Sequence, residues 1–144
     1  MVCAAAPAMA APVAPARIER PAALVLVRSA LIALDQANKT GNYTVLRDLG
    51  GPAFSVNTAA RLSEVFADLR SQSVDLTSVL AAEPVFTLPP HVEASGLLRT
   101  KGYVDSGPRR LNFEIAWQPV GGVWRLYGMV VTTSELVGPP VPSR

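Results

Sequence analysis

The chain has 144 residues, of which 49% are hydrophobic and 17% are charged, and its formal net charge is +2. A length of this order suits one globular domain with a single core. Arginine and lysine are interleaved with aspartate and glutamate, whereas nucleic-acid binding usually needs a concentrated basic patch, so no nucleic-acid partner is predicted. The single cysteine, Cys3, excludes an intrachain disulfide.

Residues 1–20 differ in composition from the rest, and residues 1–16 consist almost wholly of Ala, Pro, Val and Met. Ala8-Met9-Ala10 matches the small-x-small pattern that precedes a signal-peptidase cleavage site. This segment predicts either the remnant of a signal peptide, and hence an exported, periplasmic protein, or a disordered Ala/Pro arm on a cytoplasmic one. Residues 134–144 are proline-rich and predict a flexible tail. Residues 21–133 remain for one domain.

A long, mostly buried helix is predicted from Pro21 to about Gly41. Its apolar stripe follows the helical i, i+3, i+4 spacing and consists of Leu24, Val27, Leu31 and Leu34. Arg28 interrupts the apolar run, which falls short of the roughly 20 residues that cross a bilayer. The sequence therefore predicts no transmembrane segment.

Shorter helices are predicted to follow. Residues 42–49 suit two helical turns that Gly50-Gly51-Pro52 would break, and residues 75–80 suit one turn. Between them, Asn57 is a candidate cap for a medium helix. The apolar face of that helix carries Leu62, Val65, Phe66 and Leu69.

From residue 81 the hydrophobic period changes to two, which predicts about four antiparallel strands. The first, residues 84–88, is expected at a sheet edge because of its prolines, and the second covers residues 91–104. The third alternates most regularly and buries Leu111, Phe113, Ile115 and Trp117. In the last strand, residues 123–131, one predicted face carries Trp124, Leu126, Gly128 and Val130, and the other carries Arg125, Tyr127 and Met129.

These elements predict an α+β fold in which the helices cover one face of a curved antiparallel sheet. Helices followed by such a sheet, with Gly122-Val123-Trp124-Arg125-Leu126 in the last hairpin, resemble the nuclear transport factor 2-like superfamily, a cystatin-like α+β group. The resemblance covers about residues 21–133 and is nearest to small exported bacterial members without an assigned activity. It implies a cone-shaped pocket between the long helix and the sheet, and homodimers formed through the sheets. It implies no particular reaction.

The interpretation that we favour is a non-catalytic domain that binds a small apolar ligand or an envelope protein in or beside a preformed pocket. The candidate pocket residues are Leu31, Tyr43, Asp48, Phe66, Leu98, Phe113 and Trp124. No cofactor and no metal are predicted, because the sequence has no metal-ligand spacing and no phosphate-binding glycine loop.

Two further hypotheses stay open. One is a cofactor-free lyase or isomerase of the ketosteroid isomerase or dehydratase type, with Asp48, Tyr43 or His91 as acid or base. A pair of polar groups converging in an apolar cavity would favour it. The other is a homodimer, because the predicted outer face of the sheet has more apolar area than a solvated face requires. The residues of that face are Leu97, Tyr103, Tyr127 and Met129.

Overall fold

The computed structural model describes residues 18–77, 81–106 and 109–135. Within these residues, helices precede strands, and the four strands form an antiparallel meander in the order β1-β2-β3-β4. The predicted α+β arrangement is confirmed. The elements are α1 (Arg20–Thr40), α2 (Thr44–Asp48), α3 (Pro52–Ser55), α4 (Ala59–Val65), α5 (Ala67–Ser71), β1 (Val85–Val92), β2 (Leu98–Ser106), β3 (Arg109–Val120) and β4 (Val123–Glu135).

The predicted arm and tail overlap the described residues only at their inner ends. Helix α1 already begins at Arg20, and β4 continues to Glu135, so both elements extend slightly beyond the predicted domain limits. The cleavage pattern at residues 8–10 and the proline-rich residues 136–144 lie outside the described residues.

Helix α1 has the position that the sequence predicts, and Val27, Leu31 and Leu34 of its predicted stripe are buried, whereas Leu24 is only half-buried. Pro21 occupies its first turn, where the missing N–H has no helical partner to lose. Gly41 ends the helix in the left-handed region at φ 77°, and its N–H donates to the Ala37 carbonyl at 2.8 Å. One face of the helix is buried, formed by Ala23, Val27, Ala30, Leu31, Ala33, Leu34, Asp35 and Ala37.

The predicted medium helix is two short helices, α4 and α5, which meet at Phe66. Thr58 caps α4 instead of Asn57, because its hydroxyl accepts a hydrogen bond from the Arg61 N–H at 3.1 Å. At the break, the Arg70 guanidinium donates to the Ser63 carbonyl at 2.6 Å. A side chain inserted into the helical ladder in this way is a recognised cause of a kink.

The first two strands depart from their predicted limits. Strand β1 continues through Pro89-Pro90 to Val92, which an edge strand allows because prolines there need not donate to a neighbour. The predicted strand 91–104 was wrong in its first part. A tight turn separates β1 from β2, with the Glu93 N–H bonded to the Leu97 carbonyl at 2.8 Å and Gly96 at φ 88°.

Strand β4 contains a bulge that reverses its predicted faces beyond Leu126. Ala116 of β3 pairs with Gly128 and Trp117 pairs with Leu126, so Tyr127 is an extra residue. After the bulge, Met129 and Val131 lie on the core side, and Val130 is 59% exposed. The prediction that placed Met129 on the outer face and Val130 on the inner face was therefore wrong.

The core lies between the helices and the inner face of the sheet, where 21 buried residues form one cluster. Phe113 of β3 contacts Phe86 of β1 edge to face, with ring centroids 6.2 Å apart. The buried Thr100 hydroxyl donates to the Ile115 carbonyl at 2.9 Å and accepts from the Trp117 indole N–H at 3.3 Å. Among the described helices, none has the length and apolarity needed to cross a membrane.

Candidate functional site

The candidate pocket residues do come together, but mainly as packed core. Five of them are buried members of the single hydrophobic cluster: Leu31, Tyr43, Phe66, Leu98 and Phe113. Trp124 is half-buried and packs against that cluster. Asp48 lies apart from it, with a side chain that is 60% exposed and an ion pair to the neighbouring Arg47 at 3.3 Å. These side chains pack against one another, so their burial does not itself mark a ligand site.

The structure does not bring the three candidate acid and base residues together. The Tyr43 hydroxyl is engaged by Asn38 and Arg70 inside the core. Asp48 ends α2 beside β4, where its carbonyl lies 3.5 Å from the Arg125 guanidinium. His91 is exposed on β1, at the opposite edge of the sheet, with Nδ1 3.1 Å from the Pro89 carbonyl. Asp48 and His91 are thus separated by the width of the sheet.

The predicted outer face of the sheet is only partly apolar. The Arg110 guanidinium lies 3.7 Å from the ring centroid of Tyr103 and is paired with Asp105 at 2.8 Å. Leu97 is half-buried in the turn before β2, and Tyr127 is 41% exposed at the bulge. Met129 packs against the core, so the exposed apolar residues of this face are Val123, Tyr127 and Val130 on β4 and, on β1, Val85 and Leu88.

A groove of about 320 Å³ runs between α4–α5 and β4. We call it the β4 groove. Its lining residues are Val65, Phe66, Asp68, Leu69, Gln72, Met129, Val130, Val131, Thr132 and Thr133. Of the candidate pocket residues, Phe66 lines the β4 groove. The other lining residues were not predicted as pocket residues, because they come from a helix kink and a bulged strand.

The floor of the β4 groove is held by a polar network behind it. The kink at Phe66 turns that ring onto Tyr43, with the rings parallel within 2° and their centroids 6.4 Å apart. Arg70 donates to both the Tyr43 hydroxyl and the Ser63 carbonyl, and so ties α5, α4 and the Tyr43 segment together. The position of Phe66 in the groove therefore depends on these contacts.

The two edges of the sheet differ in how they are protected. Exposed strand edges pair readily with other chains, and proteins usually guard them with prolines, charges or irregular pairing. Strand β1 has Pro89, Pro90 and two register irregularities. Residues 128–134 of β4, by contrast, contain no proline and no charge. Within the described residues, the outer edge of β4 is bridged only at Leu126, which exchanges hydrogen bonds with residues 49 and 51 at 3.0 and 2.9 Å.

Two contacts limit the length of the open edge. The bridge at Leu126 closes one end, and at the other the Thr133 hydroxyl donates to the Gln72 amide oxygen at 2.9 Å. The six residues 127–132 lie between them, which is about 20 Å of strand. Within the described residues, the β4 groove thus combines a short unpaired strand edge with a lining of six apolar residues, three uncharged polar residues and one charged residue, Asp68.

This architecture defines the protein as an α+β domain with an open sheet edge beside a groove of mixed polarity. Among the described residues, no three His, Cys, Asp or Glu side chains are grouped so that they could hold a metal ion. A scan of protein-family models, a search of curated proteins and a search of solved structures find no match for this chain.

Proposed function

We propose that this protein is a non-catalytic binding domain that takes up a short extended segment of a partner protein along the open edge of β4. The observation that carries the proposal is the unpaired, uncharged edge of residues 127–132 beside the β4 groove. In this mode of recognition, main-chain hydrogen bonds provide affinity and pockets for alternate side chains provide specificity. The edge of β4 and the groove beside it offer a peptide both main-chain hydrogen bonds and side-chain contacts, whereas a small apolar ligand would use only the side-chain contacts of the groove.

The proposal includes two expectations from the sequence. A long helix ahead of a four-stranded antiparallel sheet supports, without establishing, membership of the nuclear transport factor 2-like superfamily. Ala8-Met9-Ala10 supports export, which would make the partner a protein of the cell envelope. We also propose a homodimer formed through the outer face of the sheet. Val130 belongs both to that face and to the lining of the β4 groove, so a dimer that covered Val130 would compete with segment binding.

The test is selection of binders from a displayed library of random hexapeptides, followed by amide hydrogen exchange with the selected peptides. We expect peptides rich in β-branched residues, and slowed exchange of those amides in residues 129–133 that do not bond to β3. Val130→Lys should abolish binding, because it places a charge at the exposed lip of the groove. Val123→Lys is the matched control, because Val123 is 53% exposed on the same strand but does not line the groove.

Three results would overturn the proposal. One is failure to select any peptide that slows exchange in residues 129–133. Another is equal binding to the Val130→Lys and Val123→Lys variants. The third is slow exchange, without peptide, of the amides in residues 129–133 that do not bond to β3, which becomes fast on dilution; this would show that a second copy of the chain covers the edge.

A further inference from the structure

Among the residues that the structure describes, Asp68 is the one charged residue that lines the β4 groove. Five aspartates occur in the described residues, and the other four form ion pairs within 4.0 Å: Asp35, Asp48, Asp75 and Asp105. In the described part of the chain, no ion pair and no hydrogen bond involves the Asp68 side chain. The groove therefore presents one uncompensated negative charge to its occupant.

The position of this charge is set by the kink at Phe66. Asp68 lies in the first turn of α5, three residues after the exposed Val65 and four before Gln72, and all three line the groove. Residues at this spacing follow one face of a helical segment, so the wall presents an apolar, an acidic and an amide side chain in succession. Opposite them, residues 129–133 of β4 carry no charge.

The following inference rests on the proposed function. We propose that the bound segment is basic and carries a lysine or arginine whose side chain reaches Asp68. It also carries an apolar residue two positions away on the same face of the segment. Alternate residues of a strand point to one side at a spacing of about 6.7 Å. Three helical residues, as from Val65 to Asp68, advance about 4.5 Å, and the flexible stem of a basic side chain covers the difference of about 2 Å. Charge complementarity thus selects among the β-forming segments that the edge would accept.

The segment of this chain that follows β4 fits this description poorly. The segment that follows β4 contains Pro139, Pro140 and Pro142, which have no N–H to donate to a strand edge. Its only basic residue is Arg144, and strand-forming residues do not alternate around it. A partner segment is therefore the occupant that we propose.

The probe is a set of three acetylated, amidated hexapeptides, Val-Thr-Lys-Thr-Val-Thr and its counterparts with Gln or Glu in place of Lys, titrated into the full chain by NMR. We expect the Lys peptide to bind about two- to fivefold more tightly than the Gln peptide, as a partly exposed ion pair contributes. The Glu peptide should bind most weakly, and the preference should shrink in high salt.

Asp68→Asn should remove the preference for Lys over Gln while leaving the affinity for the Gln peptide unchanged. Glu64→Gln is the matched control, because it removes a negative charge from the neighbouring helix at a position that does not line the groove. If Asp68 serves only to stabilise the start of α5, Asp68→Asn will lower the melting temperature and keep the peptide preference, which overturns the inference.

The outcomes separate this inference from the proposed function. Equal affinity for all three peptides, with amide exchange slowed in residues 129–133, would overturn the inference that the bound segment is basic. It would leave the proposed function standing. No shift of these amides with any of the three, and none with peptides selected from the library, would overturn both.

Discussion

Replacing Arg70 with methionine should destabilise the protein strongly, although Arg70 is not part of the apolar core. Its guanidinium hydrogen-bonds to the Tyr43 hydroxyl and to the Ser63 carbonyl, and lies 5.6 Å from the Tyr43 ring centroid. Methionine keeps an unbranched apolar stem but removes all three interactions. One consequence is that the Ser63 carbonyl, at the kink between α4 and α5, loses its side-chain donor.

The expected loss is about 3–4 kcal/mol in the free energy of unfolding. A hydrogen bond to a charged group contributes about 1.5–3 kcal/mol, and Arg70 is half-buried, so its two bonds count toward the lower end. A cation over an aromatic ring adds about 0.5–1 kcal/mol at an accessible site. Since a domain of this kind is stable by roughly 5–15 kcal/mol, the loss should be a substantial part of the total.

The measurement is urea denaturation of the wild type and of Arg70→Met, with the free energy of unfolding extrapolated to water. The matched control is Arg61→Met, which removes an exposed ion pair to Glu64 and should cost less than about 0.5 kcal/mol. A double-mutant cycle with Tyr43→Phe should give a coupling energy of about 1–2 kcal/mol. If Arg70→Met is as mild as Arg61→Met, or the coupling is zero, then Arg70 does not hold the kink.

Three further predictions concern the sheet, the loop after α5 and the oligomeric state. Gly102→Ala should cost about 1–3 kcal/mol in the same assay, because a Cβ there would overlap the Val85 carbonyl. Gly128→Ala should be mild, because open space surrounds that glycine. Equal effects of the two substitutions would contradict the close approach of the Val85 carbonyl to Gly102. Hydrogen bonds from Thr77 and then Lys39 lower the pKa of Asp75 from its ordinary 3.8 to about 2. The stabilising contribution of the Asp75 carboxylate is therefore present above pH 3.8 and lost as the pH falls to about 2. Between these two pH values, the wild type should lose stability faster than Asp75→Asn. Parallel profiles of stability against pH for the two proteins would refute this. Light scattering should show a dimer that Tyr127→Glu dissociates, and a wild-type monomer would remove the case for an interface on the outer face of the sheet.

The strands were predictable where alternation was unbroken. Phe113 and Ile115 lie in β3, which has a neighbour on each side, and every second residue from 111 to 117 is buried as predicted. Beyond Leu126 the prediction failed, because one extra residue at Tyr127 shifts all later side chains to the other face. Gly128 was the available signal, since a glycine inside a strand pattern often marks a bulge.

The kink between α4 and α5 had no comparable local signal. The spacing of Leu62, Phe66 and Leu69 fits one continuous helix, and all three are buried as that pattern predicts. The break instead accompanies a contact between Arg70 and Tyr43, which are 27 residues apart in the chain. Such a contact becomes visible only when the tertiary structure is known.

The candidate site shows a similar limit. Hydrophobic pattern predicted correctly that Leu31, Leu98 and Phe113 are buried, but burial does not distinguish a packed core from a ligand pocket. The β4 groove depends on side chains from a kinked helix pair and on the edge position of β4. Its one sequence signal was the uncharged run of residues 128–134, which is informative only once β4 is known to lie at an edge.

The length of the open edge helps to identify the kind of partner. If two copies of this chain joined through their β4 edges, strands of 13 residues would align, and the pairing would have to displace the bridge at Leu126 and the contact between Gln72 and Thr133. A segment of about six residues fits between these two contacts without breaking either. Because the cost of displacing both would offset the gain from a longer strand pair, the geometry favours a short segment over a second sheet edge. The predicted dimer should therefore use the outer face around Tyr127 and not the edge of β4.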